Sequence, residues 1–192
     1  MSENTAAPRP QQGASLDRSA WIEAAFDTLA DGGIDAVRVD PLAKALGVTR
    51  GSFYWHFRDR ADLHLALLAE WRRRASYQVF ARIEGTQEPP GKRLERIINL
   101  PASGPRATRA ANIELAIRLW ARRDKDAAKA LRHIDRTRIR YFMTLLHQHG
   151  VPRAEARTRA TVFYAYLLSE AWIQTDGKDA LREAASRFLL QL

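Results

Sequence analysis

The chain has 192 residues, 46% of them hydrophobic, which is enough for one substantial domain or two small ones with a real core. It contains no cysteine, which excludes a disulfide framework and any thiolate zinc site. The net charge of +9 suggests a phosphate-bearing partner, but residues 1–60 hold seven Lys or Arg against eight Asp or Glu, so the excess lies downstream and total charge decides little.

The opening stretch MSENTAAPRPQQGAS has polar residues, two prolines and no apolar run of signal-peptide length, and residues 1–14 are read as a disordered tail. Trp21, Ile22, Ala25, Phe26 and Leu29 recur at helical spacing, with Asp17 as N-cap and Gly32-Gly33 as stop, predicting a first helix. Val39, Leu42, Ala43 and Leu46 mark a second that tolerates Pro41 in its first turn and ends at Gly47. Thr49 is placed to cap a third helix running to about Phe57, and Asp59 a fourth carrying Leu63, Leu67 and Trp71. The second and third helices, separated by a short Gly-containing turn, form a helix-turn-helix pattern. At 100° per residue, Phe53 and Phe57 share one face of the third helix with Val48 close behind, while Tyr54 and Trp55 look outward.

Beyond the fourth helix, GTQEPPG (85–91), LPASGPR (100–106), Gly150-Val-Pro152 and Asp176-Gly177 punctuate a chain that otherwise reads helical. The spacing predicts helices over 112–123, onward to His149, over 153–174 and over 178–190. No strand pattern or internal repeat appears. The longest charge-free run, Ala160 to Ser169, falls far short of the roughly 20 residues that cross a bilayer. A soluble, cytoplasmic protein with no membrane partner is expected. No nucleophile elbow, phosphate loop or His-Glu-x-x-His occurs. His147 and His149 point about 200° apart on a helix and cannot share an ion. No enzyme activity, metal or cofactor is therefore expected. The runs Arg72 to Arg74 and Arg136, Arg138, Arg140 are read as solvated faces, with a second anion-binding surface as the sharper alternative.

The stretch GVTRGSFYWHFRDRADL (47–63), with the acid-studded first helix, the LAKALGV second helix and the fourth helix opened by Asp59 and Arg60, resembles the helix-turn-helix signature of the tetracycline-repressor (TetR) family of transcriptional regulators. The resemblance covers Ser15 to Leu68. It implies an all-α fold, with an N-terminal three-helix helix-turn-helix DNA-binding domain (15–62) followed by a larger helical ligand-binding and dimerisation domain (63–192). It further implies a homodimer, a double-stranded palindromic operator with half-sites about 34 Å apart, and a small-molecule inducer. The family usually places a hydroxyl residue where Arg38 stands, so the cap of the second helix departs from the pattern.

Site residues follow in three groups. For DNA, Arg50 is the expected base reader, because a guanidinium bridges O6 and N7 of guanine. Thr49, Gly51 and Ser52 sit at the positive end of the third helix, where Gly51 lets backbone approach closely. Tyr54 and His56 suit phosphate oxygens, Trp55 a sugar or thymine methyl, and Arg38, Lys44 and Arg60 backbone phosphates. Trp71, Phe80, Ile117, Trp120, Met143, Leu146 and Phe163 are expected to line an inducer cavity or to form plain core. Thr161, Ala165, Leu168, Trp172, Leu181, Ala185 and Phe188 are expected to form a dimer interface of the last two helices. The alternative reading is a TetR-like ligand-binding or scaffold protein that reads no operator.

Overall fold

The computed structural model describes residues 17–100, 104–170, 172–173 and 176–191, so the expected tail over residues 1–14 lies outside the described residues. Among them all regular structure is helical: α1 (Arg18–Gly32), α2 (Val39–Ala45), α3 (Arg50–Phe53), α4 (Arg60–Arg72), a π-helical segment (Arg73–Gln78), α5 (Val79–Glu84), α6 (Pro90–Asn99), α7 (Pro105–Trp120), α8 (Lys125–His149), α9 (Arg153–Ser169) and α10 (Lys178–Leu190).

Local chemistry starts and stops these helices. The carboxylates of Asp17, Asp59 and Asp124 accept from the amides of Ala20, Asp62 and Ala127 at 2.9, 2.8 and 2.8 Å, satisfying first-turn donors; each such cap contributes about 1 kcal/mol. Gly33 at φ 70° and Gly150 at φ 115° end α1 and α8 in a region that L side chains avoid. Helix α7 begins seven residues ahead of the expected start, because Pro105 fits a first helical turn and Gly104 supplies the φ of 93° that leads into it. Helix α9 ends at Ser169, five residues short of expectation, where Trp172 and Ile173 amides both fold back on the Ser169 carbonyl.

Two apolar cores result. The first joins Trp21, Phe26 and Leu29 of α1, Leu42 of α2, Phe53, and Leu63, Leu67 and Trp71 of α4 to Ile113, Ile117 and Trp120 of α7 and Ala127, Ala130 and Ile134 of α8. It therefore crosses the expected domain boundary at 62/63 without interruption. The second gathers Ile83, Leu94, Ile97 and Ile98 with Phe142, Leu145, Leu146, Ala160, Phe163 and Tyr164. The expected inducer-cavity residues are divided between them: Trp71, Ile117 and Trp120 fill the first core and Leu146 and Phe163 the second. Met143 packs along the second, and Phe80 stacks on Tyr141 at 4.1 Å. Most of them thus pack against neighbours in one core or the other.

An ionic layer joins the two cores. The Glu114 carboxylate accepts from Arg118 (Nη2 at 2.9 Å) and from Arg138 (Nη1 at 3.0 Å, Nη2 at 3.1 Å). Both guanidinium groups also donate to the Tyr164 hydroxyl at 2.8 Å, and that hydroxyl donates to Asp135 at 2.8 Å. Arg138 Nε and Nη2 reach the Ala75 carbonyl in the π-helical segment at 3.2 Å. Burial opposes ionisation of Glu114, but Arg138 and Arg118 outweigh it and hold the carboxyl below its ordinary range. Burial raises Tyr164, so its phenol stays protonated and can donate. Replacing Arg138 by Met takes the donor from the Ala75 carbonyl and leaves Glu114 and Tyr164 with Arg118 as their one guanidinium partner; the expected loss is about 3–5 kcal/mol of unfolding free energy, read by urea denaturation.

His64, on α4, packs edge-on against Trp120 of α7 at 5.2 Å. Burial first, and the nearby Arg60 cation second, push its pKa down. The unfolded chain accepts a proton near the ordinary imidazole value of about 6.5, whereas the folded one resists. Stability from this group is thus complete above that pH and declines as pH falls below it. The melting temperature is expected to drop between pH 7.5 and 5.5, and His64→Phe to flatten that dependence; a variant as pH-sensitive as the parent would exclude His64 as the cause.

Candidate nucleic-acid interface

The turn between α2 and α3 is set by Gly47 at φ 67°, after which the Val48 amide bonds back to the Ala43 carbonyl at 3.0 Å. This aims α3 across α1. Helix α3 is a single turn, shorter than expected, because Tyr54 and His56 amides bond three residues back, to Gly51 and Phe53 at 3.1 and 3.0 Å, tightening the chain beyond Phe53. The buried side of the segment matches its aromatic pattern. Phe53 meets Trp21 edge-on at 5.3 Å and stacks on Phe57 at 5.2 Å, and the Arg18 guanidinium lies 4.9 Å over the Phe57 ring.

With two rings fixed inside, the others face solvent. Trp55 is 87% and Tyr54 51% exposed, against the rule that large rings seldom stand free on a monomer's surface. Arg50 donates to the Tyr54 hydroxyl at 3.3 Å and lies 3.6 Å from Asp40. Tyr54 first, then Asp40, favour its charged form, and the pair hold the guanidinium at the front of the helix. Gly51 is exposed, and an added Cβ there would meet only Thr49 Oγ1, at an ordinary 3.6 Å. Internal packing therefore does not require glycine at this position, which leaves the backbone open to an approaching partner.

Arg38, Lys44 and Thr49 are exposed around the same turn, with Ser52 and His56 partly covered. Arg38 stands at the N-cap of α2 and Thr49 at that of α3, and neither side chain makes a capping bond. Arg60 departs from expectation. Its guanidinium donates to the Val37 carbonyl at 2.7 Å and the Ile34 carbonyl at 2.8 Å, so it clamps the α1–α2 turn to α4 instead of standing free for phosphate. Two residues that sequence reasoning missed help build the face. Asp40 orients Arg50 from ten residues away, and Arg18 covers Phe57; helix-turn-helix geometry was the only signal for either.

The expected interface residues sit on α9, α10 and the turn between them. Thr161, Ala165, Trp172, Leu181 and Phe188 are exposed, Leu168 and Ala185 partly so, and Phe188 is 75% accessible. The hairpin is held by Arg182, whose side chain is only 8% exposed and which bonds Glu170 at 3.0 Å and Asp179 at 2.8 Å. Among the described residues no His, Cys, Asp and Glu cluster could hold a metal ion, and no helix is long and apolar enough to cross a membrane.

Residues 22–67, spanning α1 through most of α4, match the family of bacterial regulatory proteins, tetR family. The transcriptional regulator AcuR of Cereibacter sphaeroides is 43% identical over 61 residues, which are 32% of this chain and 28% of that protein. The chain thus aligns with less than a third of the length of AcuR and of the transcriptional regulator AcrR of Shigella flexneri. Solved structures extend the likeness in fold to nearly the whole chain. A transcriptional regulator from Saccharomonospora viridis in complex with choline aligns at TM-score 0.76 and 19% identity over 90% of this chain and 94% of its own. AibR in complex with isovaleryl coenzyme A and operator DNA aligns at 0.67 and 17% over 90% and 97%. Over residues 22–67, which hold the helix-turn-helix whose buried and outward rings are described above, the chain is similar to the tetR family of bacterial regulatory proteins.

Proposed function

We propose that the chain is a sequence-specific DNA-binding transcriptional regulator, a repressor, that grips a palindromic operator as a homodimer and changes its hold on DNA when a small ligand binds. The observation that carries this reading is the one-turn α3, anchored by Phe53 and presenting Arg50, Tyr54 and Trp55 to solvent. A guanidinium steadied by Tyr54 and Asp40 has the form needed to bridge guanine O6 and N7, and Tyr54 and Trp55 the form needed to reach phosphate and sugar. Lys44 and Arg38 flank the same turn and suit nonspecific phosphate contacts. The operator-bound and ligand-bound states of AibR, and the choline-bound state of the Saccharomonospora viridis regulator, support both halves of the reading on this fold.

Occupying an operator excludes polymerase, and a ligand that alters the spacing of two α3 helices removes their register with successive grooves. The mechanism is geometric and needs no catalytic step, so the reading is of a binding protein acting in the cytoplasm. The exposed apolar residues of α9 and α10 support the homodimer, since Phe188, Trp172 and Leu181 leave water only when a second copy covers them.

Arg50→Ala is expected to cost about 1–3 kcal/mol at one base pair of a selected operator and little on random duplex, measured by competition binding at fixed salt; equal losses on both duplexes, or none, would leave only a scaffold. Phe188→Asp is expected to shift the sedimentation coefficient from dimer to monomer with unaltered helical circular dichroism. A parent protein that sediments as a monomer at micromolar concentration would remove the symmetric-operator reading.

A further inference from the structure

The face of α8 turned away from the cores carries Lys129, Arg132, His133, Arg136 and Arg140. Their steps of three and four put them in one stripe about 16 Å long at a rise of 1.5 Å per residue. Arg72, the last residue of α4, faces this stripe, and the two helices enclose a cleft of about 550 Å³ with no carboxylate in its lining. Its only lining residue without a basic side chain is Thr137.

This concentration of one sign contrasts with several other places in the chain, where a cation has a carboxylate one turn away. Arg73 is offset by Glu70, Lys92 by Glu95, Arg118 by Glu114, Arg159 by Glu155 and Arg187 by Glu183, each three or four residues away along the chain. The runs around Arg72 and Arg136 therefore divide, contrary to a uniformly solvated reading. Arg73 and Arg74 turn to Glu70 and Glu23, and Arg138 goes inward to Glu114. Arg72, Lys129, Arg132, Arg136 and Arg140 remain; among the described residues no hydrogen bond or ion pair of these five side chains occurs. Arg132, Arg136 and Arg140 are spaced four apart, the separation at which like charges destabilise a helix. A helix so built gains most from a ligand that supplies the missing negative charge.

The geometry points to this cleft as a binding site for a small anion bearing several phosphate groups. Guanidinium forks on successive turns match phosphoryl oxygens bidentately, and the stripe is long enough for three groups in series. Duplex DNA carries the same chemistry, but a duplex is a wide rod and the cleft is concave, so only a few of its phosphates would enter. The site is also separate from the reading face. Arg72 lies twelve residues, about 18 Å of helix, beyond Arg60, which borders the helix-turn-helix.

The test is calorimetric titration of the full chain with tripolyphosphate, against sodium sulfate at matched ionic strength. Saturable binding at one site per chain is expected with tripolyphosphate and not with sulfate. Arg132→Gln with Arg136→Gln is expected to weaken it at least tenfold, whereas Arg106→Gln with Arg122→Gln, which removes the same charge from exposed positions elsewhere, leaves it unaltered. Without ligand the Arg132/Arg136 variant should melt no lower than the parent, since repulsion along α8 is relieved. Equal weakening by both pairs would reduce the effect to bulk charge and overturn the site. So would an absence of saturable binding, or a random duplex that is weakened by the α8 pair while tripolyphosphate is not. None of these outcomes depends on Arg50, so they leave operator reading to its own test.

Discussion

The position of α3, proposed above as the reading helix, depends on a single rod, α4, pinned at both ends by guanidinium groups on backbone carbonyls. At its start Arg60 holds the carbonyls of Ile34 and Val37, and just past its end Arg138 holds that of Ala75. Between them Leu63, Ala66, Leu67, Leu68 and Trp71 are all buried. A carbonyl accepting from an arginine has fixed direction as well as distance, so neither end of α4 slides without losing charge-assisted bonds. Because Phe53 packs with the same core through Trp21, any displacement of α4 carries α3 with it.

That arrangement limits what a change driven by the proposed ligand can be. The first core runs unbroken from α1 through α4 into α7 and α8, and close-packed interiors respond by moving between discrete arrangements, not by stretching. The helix-turn-helix unit therefore cannot hinge freely at residue 62; it must shear across Ile113, Ile117 and Trp120. The ionic layer is the natural place for such a shift to be resisted. Glu114, Arg118, Arg138 and Tyr164 exchange bonds among three helices and the π-helical segment, and every member is shared. Such networks hold firmly while satisfied and give way together.

What the sequence disclosed was whatever depends on neighbours close in the chain. The Asp17 and Asp59 caps, the stops at Gly33 and Gly47, and the inward and outward rings of 53–57 are all local, and the helical periods fixed an all-α fold. What stayed hidden depends on pairs far apart. Arg60 looks like any surface arginine until the α1–α2 turn, more than twenty residues away, offers two carbonyls. Arg138 sits in a basic run, yet it alone of Arg136, Arg138 and Arg140 goes inward, because Glu114 lies across the helix pair. The seven expected cavity residues showed the same blindness: apolar spacing marks burial but does not say in which of two cores a residue is buried.

The placement of arginine brings these threads together. This chain uses guanidinium groups for three distinct tasks: Arg60 and Arg138 fasten backbone, Arg118 and Arg182 compensate buried carboxylates, and Arg50 stands at the surface with its orientation set by Tyr54 and Asp40. Only a planar, permanently charged fork serves all three, since lysine would lose bidentate geometry in the first and readily lose its proton in the second. Net charge therefore misleads as a guide to nucleic-acid binding in this protein. Much of the positive excess downstream of residue 60 lies on α8, away from α3, while the α3 face depends on a few oriented groups within the first 60 residues, whose charges sum to nearly zero. Orientation and exposure, not the sum of charges, distinguish the arginine that can read a base from the arginines that hold the fold.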